Sequence, residues 1–150
     1  QIAGGSMGLG LPGAVGLALA KKMKGEEGTV YVLMSDGEVA IGTTWESLLI
    51  ARHHKLDNLV IFVDNNGLQA MGKIKDILNV DIFDMAESID GHDFSKIEAT
   101  MNCTHHQGEP KMVIAKTVKG KRVPKWENDN IWHYAQIKPE DYEYAKQCLK

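Results

Sequence analysis

The chain has 150 residues, of which 43% are hydrophobic and 25% charged, and its formal net charge is −3. That is the mix of one globular domain with a real core; with no basic stripe interleaved with aromatics, nucleic acid is excluded as the expected partner. No apolar run approaches the roughly 18 residues of a membrane span, and Cys103 and Cys148 form no C-x-x-C pair, so both read as reduced thiols of a cytoplasmic protein.

In chain order, Pro12 to about Met23 is apolar on most sides through Val15, Leu17, Ala18 and Leu19. It predicts a buried helix with Pro12 in its first turn, where the missing N–H is no loss. "TVYVLM" (Thr29 to Met34) is β-branched and apolar, as expected of a central parallel strand, and "SDGEVAIG" follows as a loop. The next helix is expected near Thr43, where Thr43 and Glu46 have capping-box spacing and Trp45, Leu48, Leu49 and Leu56 share a face. "NLVIFV" (Asn58 to Val63) predicts a second buried strand that ends in "DNNG". Asp76 to Val80 is ambiguous, "AESID" suits a short strand, and Phe94 to Met101 reads as helical. "KMVIAKTV" (Lys111 to Val118) predicts a third buried strand, then a polar loop, then a closing helix from Pro139 to Leu149. Strands alternating with helices imply an α/β domain, a mostly parallel sheet with helices on both faces. Ligands of such sheets sit at the carboxyl ends of the strands, where "SDGE", "DNNG" and "KTVKGK" fall.

Gly8, Gly10 and Gly13 have the G-x-G-x-x-G spacing of a dinucleotide-binding turn. That turn needs a strand directly before it, and "QIAGGSM" is too short and glycine-rich to be one. The acid expected about 20 residues further on falls at Asp36, which instead opens a new loop. Two readings remain for these glycines. They allow close packing at a helix start, or Gly4 to Gly10 lets backbone N–H groups approach an anion at a helix N-terminus.

The more informative pair is Ser35-Asp36-Gly37 with Asp64-Asn65-Asn66, each just past a buried strand. Adjacent parallel strands lie about 5 Å apart, so Asp36 and Asn66 can converge. One carboxylate and one amide oxygen leave most of an octahedral shell to waters and phosphate oxygens, the usual way Mg²⁺ is held beside a phosphorylated ligand. Either triplet alone is an ordinary polar turn; two at matched strand ends, with a glycine turn upstream, favour a metal–diphosphate site.

"SDGE…WESLLIARHHKLDNLVIFVDNNGLQAMG" resembles the thiamine diphosphate motif of transketolases, usually G-D-G followed by N-N. "GGSMGLGLPGAVGLALA", "KTVKGK" and "WENDNIWHYA" are similar to other segments of that family, so the likeness runs over nearly the whole chain. It is strongest to the N-terminal, cofactor-binding subunit of split two-chain transketolases. The resemblance implies the diphosphate-binding half of the thiamine diphosphate fold. It implies transfer of a two-carbon ketol unit from a ketose phosphate to an aldose phosphate. Asp36 and Asn66 would ligate Mg²⁺ (or Ca²⁺) through their side chains and Leu68 through its carbonyl. Ser35 takes the place of the first glycine of G-D-G, and Gly37 would touch the diphosphate. Gly5 and Met7 would line the aminopyrimidine through their backbones. Lys116 matches a lysine near the cofactor, His133 a histidine near diphosphate and substrate, and Glu46 an acid in a chain linking two active sites.

Plainer roles stand beside these. His133, between Trp132 and Tyr134, also fits a packed surface histidine, and Glu46 also fits the capping-box acid. His53-His54 and His105-His106 lack metal-ligand spacing and read as solvated helix ends, and His92 as a turn residue. Leu9 stands where the family has glutamine, and Ile41 where it has an acid, which implies a broken proton link between sites. Between Val80 and Glu87 the chain is shorter than the family pattern. The family's upstream histidines and its activating glutamate do not occur here. The chain therefore reads as a fragment of one subunit, incomplete at its N-terminus. It would act with a C-terminal transketolase subunit that supplies the pyrimidine-binding domain, in a dimer or heterotetramer. The alternatives are another thiamine diphosphate enzyme, such as deoxyxylulose-phosphate synthase, or a non-catalytic cofactor-binding or assembly subunit.

Overall fold

The computed structural model describes residues 4–80, 86–102 and 108–150. Cys103, His105, His106 and most of the shortened stretch after Val80 lie outside the described residues. The elements run α1 (Gly10–Lys24), β1 (Val30–Ser35), α2 (Gly42–His53), β2 (Leu59–Asn65), a hairpin of β3 (Leu68–Gln69) and β4 (Gly72–Lys73), α3 (Ile74–Ile77), β5 (Glu87–Asp90), α4 (Phe94–Asn102), β6 (Lys111–Lys116) and α5 (Pro139–Cys148). Tight 3-10 turns cover Asp36–Ala40 and Asn130–His133.

Among the described residues the main sheet has four strands in the order β1-β2-β6-β5, all parallel, as the alternating pattern requires. Successive residues of β2 and β6 serve opposite faces. On one side Ile61, Val63 and Ile114 pack with Leu11, Val15 and Ala18 of α1 and Ala51 of α2. On the other, Phe62, Val113 and Ala115 pack with Ile89 of β5 and Ile97 of α4. Helices thus cover both faces. Each fully buried Leu or Ile contributes about 1.5–3 kcal/mol. Among the described residues no helix is long and apolar enough to cross a membrane.

Several local expectations are corrected. "TVYVLM" is not central: among the described residues β1 is the sheet's edge, with β2 on one side only. Its outward residues Tyr31 and Leu33 are 43% and 75% exposed. The run of β-branched residues reports a strand and does not report its neighbours. α1 buries Leu11, Ala14, Val15 and Ala18, while Leu17 faces out; its apolar stripe is narrower than its composition. Gly25, left-handed at φ 66°, ends α1. The loop after β1 is a 3-10 turn, and the capping box belongs to Ser35 and Glu38, not Thr43 and Glu46. α2 starts after Ile41 without a side-chain cap, because Thr43 Oγ1 donates instead to the Gly8 carbonyl at 2.7 Å. The buried side of α2 is Thr44, Ser47 and Ala51, and Leu49 is exposed. Of the ambiguous stretch Asp76 to Val80, Asp76 and Ile77 close the short helix α3, and Leu78 to Val80 lie outside any element. Cys148 is a free thiol.

An ion pair ties the end of α1 to the turn before β2: Lys22 Nζ lies 2.9 Å from Asp57 Oδ1 and also donates to the Lys55 carbonyl. The Lys22 ammonium holds the Asp57 carboxyl below its ordinary value. A lowered acid contributes stability above its unfolded value and loses it as pH falls through the folded one. Asp57→Asn is therefore expected to cost up to about 1 kcal/mol at pH 7, since the pair is solvated, and to cost progressively less at an acid pH where the carboxyl is protonated. Urea unfolding at both pH values checks it.

Candidate functional site

The parallel register aligns the strand ends. Ser35 sits opposite Asp64, Asp64 opposite Ala115, and Asn65 opposite Lys116. The polar residues that follow β1, β2 and β6 therefore collect at one end of the sheet.

Asp36 begins the 3-10 turn and is only 8% exposed. Its Oδ2 accepts the Gly67 N–H at 2.7 Å, so the β1 loop grips the loop after β2. Its Oδ1 is buried without a hydrogen-bond partner. Burial pushes the Asp36 carboxyl above its ordinary range and the Asp64 charge adds to the rise, while backbone N–H groups, Gly67 first, oppose it. A carboxylate in this setting is costly unless a cation meets it.

Asn66 stands beside it. Its Nδ2 donates to Asp64 Oδ2 at 3.3 Å and its Oδ1 accepts the Leu68 N–H at 3.0 Å. Asp36, Asn66, Gly67 and Leu68 line a cavity of about 450 Å³, with Lys73 and Lys75 on its wall. Gly37, next to Asp36 in the 3-10 turn, is buried and not on the cavity wall; a methyl built on it would sit 3.3 Å from Met7 Cε and 3.3 Å from Gln69 Oε1.

The glycine turn is fastened to this loop by one carboxylate. Glu38 Oε1 accepts the Gly8 N–H at 3.0 Å, and Oε2 accepts the Ser35 N–H at 2.9 Å. Gly5 and Met7 are exposed just before Gly8, and the Met7 side chain reaches the 3-10 turn beside Gly37. Ser35 turns its hydroxyl to Glu38.

The structure brings together Asp36, Gly37, Asn66, Leu68 and Met7. Lys116 closes β6 at the same end of the sheet but is not on the cavity wall. His133 is exposed in the second 3-10 turn, whose Asn130 Nδ2 donates to the Ala70 carbonyl at 2.9 Å and docks that turn beside the β3–β4 hairpin. Glu46 is exposed on α2, away from the cavity. His53 and His54 meet edge-to-face at the exposed end of α2. His92 does more than occupy a turn: its Nε2 accepts the Val118 N–H at 2.8 Å. Sequence reasoning missed Glu38, Lys73 and Lys75, and gave Asp64 no role beyond its place in the strand-end triplet. The S-x-x-E spacing from Ser35 to Glu38 was the available signal for the first.

The donors suit a hard divalent cation. They are all oxygen, and one is a buried carboxylate oxygen with no other partner. Among the described residues no three His, Cys, Asp or Glu cluster to form an all-protein cage. A cation here takes its remaining ligands from water or a bound anion, and the two lysines offer charge to such an anion.

The whole chain, residues 1–150, matches the family described as transketolase, thiamine diphosphate binding domain. A subunit of the apulose-4-phosphate transketolase of Actinobacillus succinogenes is 39% identical over 97% of this chain and 56% of its own length. A 6-deoxy-6-sulfo-D-fructose transketolase subunit of a Clostridium species is 35% identical over 78% of this chain and 46% of its own. The chain spans about half the length of the curated relatives it matches. Transketolase from Campylobacter jejuni superposes with a TM-score of 0.87 at 29% identity, covering 97% of this chain and 25% of that one.

Proposed function

The chain belongs to the transketolase thiamine diphosphate-binding domain family, and from there we propose that it is the cofactor-anchoring part of a transketolase subunit. The reaction is transfer of a two-carbon ketol unit from a ketose phosphate to an aldose phosphate. The observation that carries this reading is the buried, half-partnered Asp36 carboxylate facing a cavity it shares with Asn66 and Leu68.

In this reading Asp36, Asn66 and the Leu68 carbonyl would hold Mg²⁺ (or Ca²⁺) beside the diphosphate. When bound, thiamine diphosphate supplies the carbanion chemistry. The chain's own residues bind and orient. Gly37 admits the diphosphate against its backbone, with Ser35 as the small residue before the ligand aspartate. Gly5 and Met7 present backbone to the aminopyrimidine, steadied by the Glu38 clasp. Lys116 adds positive charge at the strand end. His133 orients the sugar and exchanges protons with its hydroxyl groups, a task for which imidazole is suited. Glu46, on the exposed side of α2, faces the second active site of a dimer.

Several relatives are themselves named as single subunits of a transketolase, which supports a partner chain. That partner is a C-terminal transketolase subunit carrying the pyrimidine-binding domain, in a cytoplasmic dimer or heterotetramer. The test is turnover of the full-length protein with and without that partner. Ketose phosphates are expected to be consumed only when both chains are present, and pyruvate not at all. Turnover of pyruvate, or none of any ketose phosphate with the partner present, overturns the reading.

A further inference from the structure

We infer that Asp64 is a positioning residue that decides which atom of the Asn66 amide faces the cation, and that Thr117 holds Asp64 in that pose. The inference rests on the reading of Asp36 and Asn66 as cation ligands.

An asparagine amide has two ends, and only its oxygen can ligate a metal ion. A half-turn of the side chain would point two N–H donors at the cation. In this protein the nitrogen is already engaged, since Asn66 Nδ2 donates to Asp64 Oδ2 at 3.3 Å. The oxygen is therefore held on the other side, where one lone pair takes the Leu68 N–H and the second remains for a ligand.

Asp64 could serve this way only if its own carboxylate were fixed, and it is. The Thr117 hydroxyl donates to Asp64 Oδ1, the other oxygen. Thr117 in turn continues the ladder past β6, its N–H donating to the Asn65 carbonyl at 3.1 Å. Gly91 packs so closely that a methyl there would lie 2.5 Å from Thr117 Cγ2. The side chain of Thr117 thus has little room to turn. A relay runs from the end of β6, through Thr117 and Asp64, to the amide of Asn66. Outer partners of this kind typically change metal affinity by about 10–100-fold when removed.

The experiment is calorimetric titration of Mg²⁺ into the full-length protein with thiamine diphosphate present, comparing Asp64→Ala, Asp64→Asn, Thr117→Val and Asp36→Ala, with the melting temperature of each recorded. Asp64→Ala is expected to weaken Mg²⁺ about 10–100-fold. Asp64→Asn is expected to rescue most of that loss, because its oxygen can still accept from Asn66 while its nitrogen donates to the Thr117 hydroxyl. Thr117→Val should weaken binding less than Asp64→Ala. Wild-type affinity in Asp64→Ala overturns the inference. Asp64→Asn falling as far as Asp64→Ala overturns it too, since charge rather than orientation would then be responsible. If Asp64→Ala does not fold, Thr117→Val carries the test, and unchanged affinity there is the refuting result. Asp36→Ala separates the two levels. Loss of affinity in it beside an unaffected Asp64→Ala sinks only this inference; no loss in Asp36→Ala sinks the ligand assignment beneath it.

Discussion

Asp36→Ala is expected to abolish cation-dependent binding of thiamine diphosphate, by at least ~100-fold, or about 2.8 kcal/mol. The substitution removes the carboxylate whose Oδ1 is buried and unpartnered, and with it the bond that Gly67 makes to Oδ2. The loop after β2 then loses its tether to the 3-10 turn, so Asn66 and Leu68 drift from the position they share with Asp36. Asp36→Asn divides these effects. It keeps an acceptor for Gly67 and loses the charge. Its cation-free melting temperature is expected to equal or exceed that of the wild type, because a buried charge without a counter-ion has been removed. Its gain in melting temperature on adding Mg²⁺ with the cofactor is expected to vanish. Calorimetry and thermal unfolding with and without Mg²⁺ make both measurements. Unaltered cofactor affinity in Asp36→Ala would exclude the carboxylate as a ligand.

Gly8→Ala is expected to damage both the fold and the site. Gly8 has φ +79°, and a Cβ there would lie 2.6 Å from Ile41 Cγ2 and 2.8 Å from Thr43 Oγ1. Left-handed strain costs about 1–2 kcal/mol and overpacking another 1–3. Both the Glu38 bond to the Gly8 N–H and the Thr43 bond to its carbonyl would be displaced. A loss of about 2–5 kcal/mol corresponds to a melting temperature lower by roughly 4–20 °C. Cofactor affinity should fall as well, because Gly5 and Met7 hang from this turn. Gly13→Ala is the control: it lies within α1 with nothing within 4 Å of the added methyl, and there alanine favours the helix. A Gly8→Ala protein as stable as Gly13→Ala would show that the turn tolerates a side chain.

The two loops that build the cavity were legible because their signals are local. A β-branched run followed by S-D-G, and another followed by D-N-N-G, fix strand ends and turn residues within a few positions. Parallel pairing then forces those ends together, and Gly67 on Asp36 is the realised contact. What was not legible depended on distant partners. β1 reads as central because hydrophobic strands look alike whether one neighbour or two pairs with them. Thr43 and Glu46 have the spacing of a capping box, yet Thr43 bonds a carbonyl 35 residues away, and no local rule foresees that. Glu38 joins Ser35, three residues before it, to Gly8, 30 residues before it. Only the first half of that clasp has a spacing. The work of Asp64 and Thr117 is likewise invisible until β6 is laid beside β2.

The edge position of β1 has a further consequence, for handling and for folding. "VYVLMS" carries no charge and no proline, and among the described residues β1 pairs on one side only. Until something covers that side, its free amides and carbonyls form a template for strand-to-strand stacking between molecules. Precipitation that grows with protein concentration, and that a lysine at Leu33 suppresses, would be the signature of this hazard.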